Sequence, residues 1–148
     1  MAVRDWQGVT IIMRRLALDR KPQWGYILRM DITDGKLQVV VELPEFIKQA
    51  ARCLSDSQRT EFIDYIAKHP EKGDIIQGTG GARKIRWASD NNKGKSSGVR
   101  VVYFFFNREN PILLFTLYPK NERDNLSQSE KNVLHGIIKQ IVKQFREQ

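Results

Sequence analysis

At 148 residues, 41% of them apolar, the chain suits one domain with an ordinary core, and a mean hydropathy of -0.49 argues against a membrane-spanning architecture. Its 25 Lys and Arg against 17 Asp and Glu give a net charge of +8, which points to a polyanionic partner such as nucleic acid or the ribosome. The lone Cys53 allows no internal disulfide, and the charged first twenty residues contain no secretory h-region, so the expected setting is a reducing cytoplasm.

In chain order, residues 1–36 show turn residues without a sustained period and are expected to be an N-terminal extension of uncertain order; residues 37–148 form the folded domain. LQVVVEL (37–43) is β-branched and ends at Pro44, so it predicts a strand. EFIKQAARCL places Phe46, Ile47, Ala50, Ala51 and Leu54 at helical spacing, with Pro44 suited to the first turn. Ser55 to Gln58 has the form of a capping box and opens a second helix, with Phe62, Ile63 and Ile66 on one face and a stop at Pro70.

GDIIQGTGGARKIR (73–86) comes next. A phosphate loop needs a helix after its glycines, but the residues that follow alternate as a strand. Gly78, Gly80 and Gly81 are therefore expected to provide positive φ in a turn. Strands are predicted at 82–89, 99–107 and 112–118, with a polar loop at 90–98 and a hairpin turn at Asn107–Pro111. A second capping box, Ser127 to Glu130, begins a helix carrying Val133, Leu134, Ile137, Ile138, Ile141, Val142 and Phe145. The predicted fold class is α+β, in the order β-α-α-β-β-β-α: a small antiparallel sheet with a helical hairpin and a C-terminal helix packed on it.

Few residue types here suggest catalysis. His69 and His135 lie far apart, no CxxC or HxxxH spacing exists, and Cys53 falls on an apolar helix stripe as a small hydrophobe would. The cations are different. Between Ala82 and Arg100 there are six (Arg83, Lys84, Arg86, Lys93, Lys95, Arg100) and a single anion, Asp90. Alternation sets Lys84 and Arg86 on one strand face with Ile85 and Trp87 on the other, and a hairpin around 90–98 brings Arg100 beside Arg86. Such a set is either a solvated basic face or an anion site.

GDIIQGTGGARKIRWAS, GKSSGVRVVYFF and LLFTLYPKNERDNLS resemble the HigB-like branch of the RelE/ParE toxin superfamily of bacterial type II toxin–antitoxin modules, across about residues 37–146. The resemblance implies a cytoplasmic endoribonuclease (an mRNA interferase) that cuts mRNA on the ribosome and arrests growth, with neither metal nor cofactor. Its implied chemistry is attack of the ribose 2′-hydroxyl on the adjacent phosphate. Lys84 then takes the proton-transfer role, Arg86 and Arg100 stabilise the phosphate, and Lys120 is an accessory cation. RNA contacts are expected from Arg83, Lys93 and Lys95, with Tyr118 as a face on which a base stacks. Two positions depart from the family pattern: Asn121 follows Lys120 where an arginine is expected, and Ser127 stands near the expected stacking tyrosine. The implied partners are a helix-turn-helix, HigA-like antitoxin and, through that complex alone, operator DNA; no membrane is involved. The rivals are a ParE-like inhibitor of DNA gyrase and a non-catalytic RNA- or ribosome-binding module.

Overall fold

The computed structural model describes residues 27–33, 36–87 and 98–147. Its centre is a six-stranded sheet in the order β1-β2-β6-β5-β4-β3. The strands are β1 (Ile27–Thr33), β2 (Lys36–Glu42), β3 (Asp74–Ile75), β4 (Arg83–Trp87), β5 (Val99–Phe104) and β6 (Ile112–Pro119). The helices are α1 (Pro44–Cys53), α2 (Asp56–Lys68) and α3 (Gln128–Arg146).

Local chemistry sets the helix ends. Pro44 has no amide to donate and opens α1, where that amide would be unpaired in any case. Both capping boxes are formed: the Ser55 hydroxyl accepts from the Gln58 amide and the Ser127 hydroxyl from the Glu130 amide, while each N3 side chain returns the bond. His69 follows α2 as its C-cap, just before Pro70.

The sheet is covered on both faces. On one, Phe46, Ala50, Phe62, Ile63 and Ile66 of the α1–α2 hairpin pack on Val40, Val99, Val101, Tyr103, Ile112, Leu114 and Leu117. On the other, Leu134, Ile137, Ile138, Ile141 and Phe145 of α3 pack on Val41, Val102, Phe104, Leu113 and Phe115. Phe62 and Leu114 are fully buried, and each such side chain contributes about 1.5–3 kcal/mol of transfer free energy.

The α+β class and the helix placements match the expectation; the sheet differs in its pairing, in where it begins, and in the short extra strand β3. The sheet is mixed, because β2 and β6 run parallel, with Val41 opposite Leu113. The long connection between these two strands allows this: the helical hairpin carries the chain across the sheet before β6 returns to β2. The sheet also begins upstream of residue 37. β1 pairs antiparallel with β2 from Ile27 to Thr33, so part of the supposed extension is an edge strand. Residues 1–26 lie outside the described residues.

Tyr103 ties β5 to the turn that precedes β3. Its buried hydroxyl accepts from the Gly73 amide at 2.9 Å and donates to the Pro70 carbonyl at 2.8 Å. Tyr103→Phe leaves both backbone groups without that partner, at an expected loss of about 1–3 kcal/mol in urea unfolding. An unchanged midpoint would show that water replaces the hydroxyl freely.

Candidate functional site

The glycine-rich segment is a closed turn. Gly78, Gly80 and Gly81 have φ of 83°, 80° and 127°, the region that only glycine enters readily. The Ile76 amide donates to the Ala82 carbonyl at 2.8 Å, and the buried Thr79 hydroxyl donates to Ile76 and accepts from Ala82. The turn sits tight against α3, since a Cβ on Gly80 would lie 3.3 Å from His135 Cδ2. It leads directly into β4, with no helix N-terminus for a phosphate.

β4 then places its cations by alternation. Ile85 and Trp87 turn to the α1–α2 side, where Trp87 meets Phe62 and Tyr65 at ring-centroid distances of 5.3 and 5.4 Å. Lys84 and Arg86 turn to the α3 side. Antiparallel pairing puts Arg86 directly opposite Arg100, and Arg100 directly opposite Tyr118 on β6. Like charges facing each other across strands are destabilising. Among the described residues, none of Lys84, Arg86 and Arg100 has an acidic partner in a salt bridge. Arg86 is exposed and the other two are half-buried. Arg100 Nη1 is buried with no hydrogen-bond partner among the described residues. A donor in that position is suited to an incoming oxyanion.

The loop from Lys120 to Leu126 borders this face and is held at several points. The Lys120 amide donates to the Gly98 carbonyl at 3.0 Å, which sets Lys120 at the rim of the same end of the sheet. Glu122 receives both Arg52 terminal nitrogens at 2.9 Å, and that cation holds its carboxyl below the usual range. Arg123 reaches Glu130 at 2.5 Å, and the Asp124 carbonyl accepts from the Tyr118 hydroxyl at 3.3 Å. Asn125 Oδ1 accepts from Lys84 Nζ at 2.9 Å, which gives the ammonium a defined position. Burial raises the Glu130 carboxyl, but the Ser127 amide and Arg123 outweigh it and hold the group below its ordinary value.

Two expected RNA contacts are placed differently. Arg83 lies off the cation face: its register partner is Tyr103, on the α1–α2 side, and its guanidinium donates to the carbonyls of Glu71 and Gly73. It braces a turn. Tyr118 is only 5% exposed, with the Arg123 guanidinium 4.8 Å from its ring centroid, so its ring is not open to a base. Burial pushes its phenol up, while Arg123 and Arg100 pull it down. Lys93 and Lys95 lie outside the described residues. Arg123 and Asn125 join the site although no periodic pattern marked them, because a loop carries them.

Neither histidine meets this face. His69 meets Tyr65 with tilted rings whose centroids are 4.9 Å apart, and His135 is exposed on α3 beside Gly80. Burial, the largest influence on Cys53, pushes its thiol up against the weaker pull of Arg52. Among the described residues, no group of three His, Cys, Asp or Glu could hold a metal ion, and no helix is long and apolar enough to cross a membrane. A scan of the sequence against protein-family models finds no match.

Proposed function

We propose that this protein is the toxin of a type II toxin–antitoxin pair, of the HigB-like RelE/ParE kind, and that it cuts mRNA on the ribosome. The observation that carries this reading is the convergence of Lys84, Arg86 and Arg100 on one sheet face, with Arg86 and Arg100 in direct register. A bound phosphodiester would offset their mutual repulsion.

In this reading, a proton leaves the ribose 2′-hydroxyl and the 2′-oxygen bonds to the adjacent phosphorus. The P–O5′ bond then breaks, leaving a 2′,3′-cyclic phosphate and a 5′-hydroxyl that takes up a proton. Arg100 and Arg86 bind the non-bridging oxygens as their charge grows, a role for which charged donors in a partly water-excluded site are well suited. Lys84, fixed by Asn125, moves a proton, and Lys120 adds positive potential at the rim. The partners are ribosome-bound mRNA and a helix-turn-helix antitoxin, which links the complex to operator DNA; the setting is the cytoplasm.

The test is to map mRNA 5′ ends after brief induction in bacteria, comparing wild type with Lys84→Ala and Arg100→Ala. Cuts inside translated codons that vanish in both variants are the expected result. Growth arrest without cuts moves the target to gyrase or another protein. Neither arrest nor cuts leaves a binding module.

A further inference from the structure

We propose that the outer side of α3 is a docking groove for an acidic amphipathic helix of a protein partner, an inference that does not depend on the RNA reading of the Lys84 face. His135, Ile138, Lys139, Val142, Lys143 and Arg146 recur at helical spacing and line one groove along α3. The glycine turn borders its first end: a Cβ on Gly80 would lie 3.3 Å from His135 Cδ2 and 3.7 Å from Ile138 Cγ2. The groove holds about 570 Å³, within the range of ordinary binding clefts. Its floor is aliphatic, with Ile138 buried and Val142 half-buried, while Lys139, Lys143 and Arg146 stand exposed around it. Glu147 is the single acidic residue among those that line it.

Among the described residues, Lys139, Lys143 and Arg146 form no salt bridge. The helix dipole accounts for cations in the last turn, Lys143 and Arg146, but not for Lys139, a turn earlier. An apolar floor between cations suits a helix whose aliphatic side chains at i, i+3 or i+4 and i+7 enter the groove while carboxylates on its margins meet the rim. Charge decides among the occupants. A second copy would bring the same cations to the same place, and residues 1–26 carry five Lys and Arg against two Asp. RNA would satisfy the rim but leave the aliphatic floor of Ile138 and Val142 without a partner.

The test is an NMR titration of the isotope-labelled full chain with two synthetic peptides of about 15 residues and identical composition. In one, Leu recurs at i, i+3, i+4 and i+7 with Glu elsewhere, giving an apolar and an acidic face; in the other the same residues are shuffled so that no face forms. The amphipathic peptide is expected to bind about tenfold more tightly than the shuffled one and to move the amides of Gly80, Lys139, Val142 and Lys143. The exposed double change Lys139→Glu/Lys143→Glu should bring its affinity down to that of the shuffled peptide while the rest of the spectrum stays in place. Equal binding of the two peptides, affinity unchanged in the double variant, or shifts gathered on Lys84, Arg86 and Arg100 would overturn the groove. A single-stranded RNA that moves the groove amides more than the peptide does would assign the surface to nucleic acid and overturn it as well.

Discussion

Arg100→Ala is expected to lower cleavage of ribosome-bound mRNA by about 10²–10³-fold in single-turnover assays, the typical loss on removing one preorganised donor to a developing oxyanion. The position explains the size of the effect. Arg100 sits between Arg86 and Tyr118 in adjacent registers, with one terminal nitrogen buried and without a partner among the described residues. Such a donor needs little reorganisation when charge appears. Arg100→Lys keeps the charge without the two-pronged geometry and should fall between alanine and wild type. The same substitution should leave the fold intact. Taking a cation away from its register partner Arg86 relieves a repulsion, so Arg100→Ala should melt no lower than wild type. Lost cleavage accompanied by a markedly lower melting temperature would recast Arg100 as a structural residue.

That expected opposition of stability and activity has a counterpart in the sequence itself. Residues with purely structural roles agree with their surroundings at every level. Ser55 and Ser127 are capping boxes both in spacing and in space, and Ile85 and Trp87 face the core as alternation requires. Lys84, Arg86 and Arg100 follow the same alternation yet gather like charges, a local conflict visible before any coordinates. Legibility ends where the period breaks. A register shift opposite Val102 and Tyr103 inserts one residue into β6 between Leu114 and Thr116. Counted straight from Ile112, Tyr118 would point toward the α1–α2 hairpin; the bulge turns it to the face that carries Arg100. Arg123 and Asn125 belong to a loop whose conformation depends on distant partners, Glu130 and Lys84. β1 was obscured because ILRMDIT mixes charges into its strand, and β3 is only two residues long. The parallel pairing of β2 with β6 joins segments far apart in sequence, beyond the reach of local patterns.

A large loss of stability is expected on substitution of Arg59. The Glu42 carboxylate is fully buried at the end of β2, and Arg59 Nε of α2 reaches its Oε1 at 2.6 Å. The same guanidinium lies 6.0 Å from the Phe46 ring centroid, so it also occupies space between the helical hairpin and the sheet. Breaking a buried pair from one side costs up to about 3–5 kcal/mol, because the remaining charge loses a compensating partner while it stays desolvated. Arg59→Leu should approach that loss in urea unfolding, with an unchanged m-value if the native packing is otherwise kept. The converse change is milder. Glu42→Gln keeps a hydrogen-bonding side chain in place, and Arg59, whose side chain retains 12% exposure, can move its charge toward water. In the Glu42→Gln/Arg59→Leu double variant neither charge remains buried, so its loss should be smaller than that of Arg59→Leu alone. Two single losses that simply add in the double variant would show that the pair is not coupled. The fold dependence reaches the site, because β2 borders β6, β6 borders β5, and β5 carries Arg100. On the proposed function, Arg59→Leu should therefore diminish cleavage only as far as it reduces the folded fraction, whereas Arg100→Ala should lower cleavage in a protein that remains folded.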